Sequence, residues 1–197
     1  MSQCLFMTTL SAVLLCAVPV AAMAQPVEPL DVAGKLRFHV ESISSLSSMA
    51  GSAAYAGLLQ EADAPTEWGQ GAGAYGKRFV STIGGVAIYG GLGFALDSTL
   101  HEDPRYYRSR STRFWRRTGH ALRGTILTRT DSGGEALSVW RLGSAYGAAF
   151  LSNQWCPDRL DTVRLGVLQG SLAVGFGFVS NLGSEFWPDI KRRILRR

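Results

Sequence analysis

Cysteine is scarce in this chain: there are three, and two of them, Cys4 and Cys16, lie in the first twenty residues. That stretch is typical of an export signal, because residues 10–20 are almost entirely apolar and Ala22 and Ala24 fit a signal peptidase that cuts before Gln25. The first ten residues lack Lys and Arg, and a short uncleaved anchor is the alternative. We predict a signal peptide over residues 1–24. Cleavage leaves Cys156 alone, which excludes an internal disulfide framework.

Linker-like runs of Pro, Ser or Gly are also missing, and no segment repeats at a fixed period. The roughly 173 residues that follow the signal are enough for one compact domain and hardly for two. We therefore predict a single domain over residues 25–197. It ends in a basic tail, residues 189–197, and the exported chain is expected in the bacterial envelope, in the periplasm or a membrane.

Acidic residues are absent from residues 105–129, which carry eight arginines. Residues 191–197 add five basic residues, so 13 of the 20 Lys and Arg residues lie in two short stretches. Between such clusters run four segments without any charge, residues 42–60, 79–96, 142–157 and 165–184. This alternation is typical of chains that associate with a bilayer.

The uncharged segments read better as helices than as strands. Small residues recur every fourth position at Ala87, Gly91 and Ala95, at Gly143 and Gly147, and at Gly166 and Gly170. This spacing lines one helix face and lets another backbone approach closely. We predict an all-α, Gly-rich bundle of about five or six helices, near residues 34–62, 73–99, 111–127, 135–152, 159–182 and 189–196. A transmembrane β-barrel is the alternative, although evenly spaced strands are missing.

Residues 79–96 and 165–184 reach the eighteen-residue minimum for a membrane span. Thr, Ser, Gln and Asn dilute their hydrophobicity, so buried core helices remain an equal reading.

No catalytic constellation stands out. The loop at Asp131, Ser132 and Gly133 resembles protease motifs, but the flanking residues fit a helix N-cap with capping-box spacing to Glu135. His101 lies four residues after Asp97, and two ligands do not make a metal site. We expect no metal and no cofactor, and the sequence leaves the catalytic residues and any small-molecule ligand unknown.

The Arg-rich segments, with their aromatic neighbours, predict a membrane-facing surface. Basic side chains contact anionic head groups while Tyr and Trp lodge at the interface. Nucleic acid is not expected as the partner of an exported protein, and a solvated basic face is the plain alternative. The candidate anion- and lipid-binding residues are Arg105, Arg108, Arg113, Arg116, Arg117, Lys191, Arg192 and Arg193. The candidate interfacial aromatics are Trp68, Tyr106, Tyr107, Trp115 and Trp187.

Six short motifs occur in a fixed order, and they are Glu67-Trp68-Gly69-Gln70-Gly71, Tyr75-Gly76-Lys77-Arg78, Asp103-Pro104-Arg105-Tyr106-Tyr107-Arg108, Thr128-Arg129-Thr130-Asp131-Ser132-Gly133, Ser152-Asn153 and Phe186-Trp187-Pro188-Asp189-Ile190. Over residues 65–197 the chain resembles an uncharacterised family of exported bacterial proteins of acidobacterial type. The resemblance implies no activity, cofactor or partner. It implies only that these clusters form the functional surface, and it gives Cys156 no role because members often have Tyr-Tyr-Pro at residues 155–157.

Two functions follow as hypotheses. The first is a non-enzymatic envelope protein with a structural or anionic-lipid-interacting role, for which an anionic membrane surface is the partner and self-association stays open. The second is a periplasmic enzyme acting on a phosphate-bearing or cell-wall substrate. It would use Glu67, Asp103 or Asp131, the candidate polar cluster, together with Arg105 and Tyr107.

Overall fold

The computed structural model describes residues 28–195, and these form six α-helices, one two-stranded hairpin and two short 3-10 turns. The predicted signal peptide (residues 1–24), residues 25–27 and the last two arginines lie outside the described residues. The helices are α1 (Val32–Ser44), α2 (Leu46–Glu61), α3 (Ala72–Thr99), α4 (Phe114–Ile126), α5 (Val139–Asn153) and α6 (Val163–Leu195). Strands β1 (Leu127–Arg129) and β2 (Glu135–Leu137) pair antiparallel between α4 and α5. The all-α bundle is confirmed.

Ser45 divides the first predicted helix into two. Its backbone is extended at φ −61° and ψ 144°, and its hydroxyl accepts a hydrogen bond from the Ser48 amide at 3.1 Å. Ser45 therefore ends α1 and caps α2, a common use of serine because its side chain replaces a missing backbone acceptor. Asp31 caps α1 in the same way, accepting from the Gly34 amide at 2.7 Å.

The predicted helix start at residue 135 is wrong. Gly133 takes a positive φ of 88°, which closes a turn and lets residues 135–137 pair with β1. The helix begins instead at Val139, where no neighbouring side chain within the hairpin caps it. The carboxylate of Glu102 caps it from a distance, accepting from the amides of Val139 at 3.1 Å and Trp140 at 3.2 Å.

The two C-terminal helices of the prediction are one helix, α6, which contains Pro188. Proline removes one amide donor and crowds the preceding turn. The turns on either side of Pro188 are nevertheless held, because Arg117 of α4 binds both Glu185 and Asp189. That tertiary contact keeps the helix continuous.

Helices α1 and α2 contact each other and both pack on α3. From α3 the helices form a row in the order α3, α5, α6 and α4, in which each contacts the next. Neighbours across the row run antiparallel. Leu92 and Leu96 of α3 face Gly147 and Gly143 of α5, and Tyr146 and Phe150 of α5 face Gly170 and Gly166 of α6. These glycines leave the space that the opposing side chains fill, as the four-residue spacing predicts.

The other predicted small-residue face, at Ala87, Gly91 and Ala95, is wrong as a packing surface. All three positions are exposed, and a Cβ added at Gly91 would meet nothing within 4 Å. The face of α3 that packs is instead formed by Gly90 and Gly93, which lie against Ile43 and His39 of α1. Small residues occur on both faces of α3, so spacing alone does not say which face is inside.

The polarity of the bundle is inverted relative to a water-soluble protein. Among the described residues, five large apolar side chains are buried and twenty-three are exposed. Seven charged side chains are buried, namely Lys35, Arg78, Asp97, Glu102, Asp103, Arg117 and Glu185. In water, charged groups are rarely buried and large apolar groups dominate the core. Helices α3 and α6 are each long and apolar enough to cross a membrane, and only 17% of either apolar window is buried.

Candidate functional site

Charge divides the bundle into two ends. One end of the bundle holds the start of α1, the end of α3, the start of α5 and the end of α6, together with the connector 100–113, α4 and the hairpin; we call this the basic end. Fourteen of the Lys and Arg residues in the described part of the chain lie there, and four lie at the opposite end, which holds the connectors 62–71 and 154–162. The arginines that are clustered in the sequence are therefore also close together in the folded protein.

Glu185 organises the basic end. Its side chain is completely buried, and its two oxygens accept from the Tyr106 hydroxyl at 2.8 Å, the Ser109 amide at 2.6 Å and Arg117 Nε at 3.2 Å. Arg117 Nη1 also donates to Asp189 at 2.5 Å, and Arg108 donates to the Glu185 carbonyl. These bonds fix the connector and α4 to α6, and nothing in the sequence singles out Glu185 for that role.

The candidate lipid-binding residues fall into two groups. Arg105, Arg108 and Arg117 are engaged inside the protein, with Arg105 Nη2 donating to Asp103 at 2.7 Å. The other five are exposed and form no hydrogen bond or ion pair through their side chains within residues 28–195. They are Arg113, Arg116, Lys191, Arg192 and Arg193.

These five residues converge because α4 and α6 are antiparallel. Phe114 lies 5.2 Å from Phe186, ring to ring, and further along α4 the contacts move back along α6, where Asn181 donates to the Ala121 carbonyl at 3.3 Å and to the Thr125 hydroxyl at 3.1 Å. The start of α4 is therefore adjacent to the end of α6. We call the resulting surface the basic patch; it comprises Arg110, Arg113 and Arg116 from the α4 side and residues 191–193 from α6.

Helix α4 presents three distinct faces. Arg117, Ala121 and Thr125 are buried against α6, whereas Trp115, Leu122 and Ile126 form an exposed apolar stripe. Arg116 and Arg123 run beside that stripe, seven residues apart and hence on one side of the helix. An apolar stripe next to a basic row is the pattern of helices that lie in a membrane interface.

The start of α4 has charges of the unfavourable sign. Arg113 is its N-cap, Arg116 and Arg117 lie in or next to its first turn, and no acidic residue is there. No side chain caps its free amides. Because the N-terminus of a helix carries partial positive charge, each such arginine costs about 0.3–1 kcal/mol at an exposed site.

The candidate interfacial aromatics differ in exposure and in position. Trp115 is 80% exposed and Trp187 is 48% exposed, and both flank the basic patch. Tyr106 is buried on Glu185, Tyr107 is half-buried, and Trp68 lies in the connector at the opposite end. Trp115 and Trp187 are the two that lie where the prediction needs them.

A polar cleft of about 230 Å³ opens beside the hairpin. Asp103, Tyr107 and Asp131 line it together, as does Arg129, whose guanidinium lies 4.5 Å above the Tyr107 ring. Burial alone would raise the pKa of Asp103, but hydrogen bonds from Arg105 and Tyr107 outweigh it and hold that pKa below its ordinary value. Burial, reinforced by the bond to Asp103, raises the pKa of Tyr107. At neutral pH the pair is a fixed carboxylate and a neutral phenol.

A chain of ionisable groups leads inward from the cleft. Lys35 Nζ donates to Asp131 Oδ2 at 2.7 Å and to the Asp97 carbonyl at 3.0 Å, and Asp97 Oδ2 lies 2.6 Å from His39 Nε2. Sequence reasoning missed Lys35 and His39. Their four-residue spacing on α1 was the available signal, because it places both on one face of the helix.

Glu67 does not join this cluster. It lies at the opposite end, where Arg159 Nη2 donates to it at 3.0 Å and lowers the pKa of the carboxyl to about 2. The predicted trio of Glu67, Asp103 and Asp131 is therefore wrong as one site. Cys156 is also at the opposite end, half-buried and free, and burial raises the pKa of its thiol.

His101 follows the end of α3 with a positive φ of 55°, and its Nδ1 lies 3.7 Å from Asp131 Oδ2. Asp97 binds His39 instead, so the spacing of Asp97 and His101 does not bring them together. Within residues 28–195 no three His, Cys, Asp or Glu side chains are grouped as metal ligands.

Comparison with protein-family models, with curated proteins and with solved structures gave no match. The resemblance of the six motifs to a family therefore stays a prediction, and function is argued from geometry alone.

Proposed function

We propose that this chain is a non-enzymatic envelope protein that lies in a membrane and binds anionic lipid head groups through its basic end. The observation that carries the proposal is the inverted polarity of the bundle. Among the described residues many more large apolar side chains are exposed than buried, with seven of the exposed ones on α6 and one, Val80, on α3. Only 17% of the apolar window of either helix is buried, whereas seven charged side chains are buried.

A surrounding lipid bilayer explains why the apolar side chains are outside. An apolar side chain that faces lipid tails loses nothing by exposure, because the tails are as apolar as the protein core. Charged groups are costly in the middle of a bilayer. In this chain the buried charges lie outside the uncharged residues 79–96 and 165–184, and they pair with one another, as Lys35 does with Asp131 and Arg117 with Glu185. In water, the same arrangement would expose a large apolar surface and bury charge.

The basic end supports the head-group part of the proposal. Each Lys or Arg near an anionic surface contributes about 1 kcal/mol of attraction. The basic patch offers such residues, none of which forms an ion pair with another described residue, next to the exposed rings of Trp115 and Trp187. Tryptophan is enriched where a bilayer meets water.

The cleft supports binding better than acid–base chemistry. A general acid or base works best when its pKa lies near the operating pH. The pKa values of Asp103 and Tyr107 are displaced in the directions that take both away from neutrality. Asp103 and Asp131, two of the carboxylates that the enzyme hypothesis needs, therefore share a cleft, but the pKa values of Asp103 and Tyr107 do not suit proton transfer at neutral pH.

Membrane extraction tests the proposal. The expressed full chain is fractionated, and the membrane pellet is washed with high salt, then alkaline carbonate, then detergent. We expect release by detergent only. Recovery in the soluble fraction, or release by salt alone, would contradict a protein embedded through α3 and α6.

The head-group part is tested separately in lipid nanodiscs. We expect the midpoint of thermal unfolding to be higher with phosphatidylglycerol than with phosphatidylcholine alone, and the difference to shrink with salt because exposed charges are screened. An equal midpoint in both lipids would refute head-group binding while leaving the membrane location intact.

A further inference from the structure

We propose that the first turn of α4 is a specific phosphate site for the terminal phosphate of an anionic membrane lipid. This inference rests on the proposed function and narrows it from a basic surface to one place on that surface. The site consists of the free amides at the start of α4, together with Arg113, Arg116 and Arg117.

The amides are the first element. The backbone N–H groups of Phe114, Trp115 and Arg116 point out of the helix start, and no side chain within the described residues caps them. Such amides, with the positive end of the helix dipole behind them, bind phosphate without further groups being required.

A buried, unpartnered guanidinium atom is the second, independent element. The side chain of Arg117 is 9% exposed, and its Nη2 has no hydrogen-bond partner among the described residues, although Nε and Nη1 bind Glu185 and Asp189. Long side chains on a helix lean toward its N-terminus, and this direction would bring the Arg117 guanidinium toward the first turn of α4. Its position 4.3 Å above the Phe186 ring, itself 5.2 Å from the Phe114 ring, agrees with that direction. An unpaired buried donor is costly unless something accepts from it.

The surrounding charge is the third element. Arg113 at the N-cap and Arg116 in the first turn oppose the helix dipole, and the nearby acids Glu185 and Asp189 are already bound to Arg117. A bound phosphate resolves this conflict, because it accepts from the amides and compensates the arginines at once.

A lipid is the source of the phosphate because apolar groups frame the site. Trp115 lies within the first turn at 80% exposure, and Trp187, Ile190 and Ile194 are exposed on the adjacent end of α6. Free phosphate would leave these side chains in water, whereas the glycerol and acyl chains of a lipid cover them.

The test variant is Arg113→Asp. Aspartate is a favoured N-cap, so it fills the free amides with its own carboxylate and repels phosphate. The variant is therefore expected to fold, with an unfolding midpoint equal to or above that of the wild type. The matched control is Arg110→Asp, which changes the net charge equally but lies outside the helix.

Binding is measured on the full chain in neutral detergent, by titrating dioctanoyl phosphatidic acid and following tryptophan emission and thermal shift. We expect Arg113→Asp to lose at least about tenfold in affinity, since charge-assisted and amide hydrogen bonds are both lost. Arg110→Asp is expected to lose about threefold or less, as an exposed charge does.

Each possible result of these titrations bears on a different part of the proposal. Equal losses in the two variants would overturn the site while leaving general head-group binding in place. Inorganic phosphate that binds as tightly as phosphatidic acid would overturn the lipid source. A wild-type chain that binds neither phosphatidic acid nor phosphatidylglycerol would overturn the head-group part of the proposed function, together with this inference.

Discussion

A lysine placed at Ala87 separates a membrane protein from a water-soluble one. Ala87 is exposed on α3, midway along the uncharged residues 79–96, and lies about 12 Å from either end of that run at 1.5 Å per residue. That distance exceeds the reach of a lysine side chain, so the ammonium group in Ala87→Lys cannot extend to the head groups.

The two environments predict different costs. In a bilayer, a centrally placed Lys is unfavourable by about 2.5–3.5 kcal/mol and Leu is favourable by about 0.3–0.6 kcal/mol. Ala87→Lys and Ala87→Leu should then differ by about 3–4 kcal/mol, which is more than about 100-fold in an equilibrium constant. In water, an exposed substitution of either kind changes stability by about 0.5 kcal/mol or less.

The assay compares both variants by their carbonate-resistant fraction in cells and by their unfolding midpoint in nanodiscs. Ser132→Lys is the control for added charge, because Ser132 is exposed at the tip of the hairpin. We expect Ala87→Leu and Ser132→Lys to behave as the wild type and Ala87→Lys to fail in both measurements. If Ala87→Lys is folded and unchanged, this face of α3 lies in water and the membrane proposal is refuted.

Three further changes test single contacts. Because the pKa of Asp103 is lower in the folded than in the unfolded chain, where it is about 3.9, its ionised carboxylate stabilises the fold above about pH 3.9, and this stability is lost as the pH falls through the folded pKa. Asp103→Asn should therefore flatten the acid side of a plot of stability against pH. An unchanged acid side would contradict the lowered pKa of Asp103. Gly170→Ala should destabilise, because its Cβ would lie 2.8 Å from Cγ of Tyr146, whereas Gly175→Ala on the same helix meets nothing within 4 Å and should gain up to about 1 kcal/mol; matching thermal scans would refute the packing role of Gly170. Arg78 is fully buried and donates to the carbonyls of Ala64, Pro65 and Gly69, so Arg78→Lys should cost about 2–3 kcal/mol and expose connector 62–71 to limited proteolysis, and a resistant connector would show that these bonds are dispensable.

The helix content was predictable because it depends on short stretches of sequence, namely capping residues and the spacing of small residues. Asp31 and Ser45 are good N-caps, and the glycines of α5 and α6 recur at the spacing that close helix packing requires. The hairpin was missed because Ser132 to Glu135 fits a capping box equally well. The positive φ of Gly133 decides between a turn and a helix, and that is not visible in the sequence.

The pairing of charges was not predictable. The contacts of Lys35 with Asp131 and of Arg117 with Glu185 join residues 96 and 68 positions apart. Any arginine in residues 105–129 was an equal candidate for solvent, lipid or an internal partner. Only the packing of α4 on α6 separates Arg117, which is buried, from Arg116, which is exposed.

The orientation of the protein in a membrane brings two sequence signals into conflict. Among the described residues, fourteen Lys and Arg residues lie at one end and four at the other, which would place the basic end in the cytoplasm by the positive-inside rule. A cleaved export signal would instead leave the start of the mature chain on the far side. The first described residues lie at the basic end, since the carbonyl of Glu28 accepts from Arg105 at 2.8 Å.

Export should prevail over charge bias in this chain. Residues 42–60 are too rich in serine to insert alone, and α3 and α6 are only moderately hydrophobic, so we expect the predicted signal to set the side on which folding begins. A membrane-impermeant thiol reagent applied to whole cells tests this, with Cys156 at the opposite end and Ser132→Cys in a Cys156→Ser background at the basic end. We expect Ser132→Cys to be labelled and Cys156 to be protected. The reverse pattern would place the arginines in the cytoplasm and make residues 1–24 a retained anchor, and the lipid that fills the first turn of α4 would then belong to the inner leaflet.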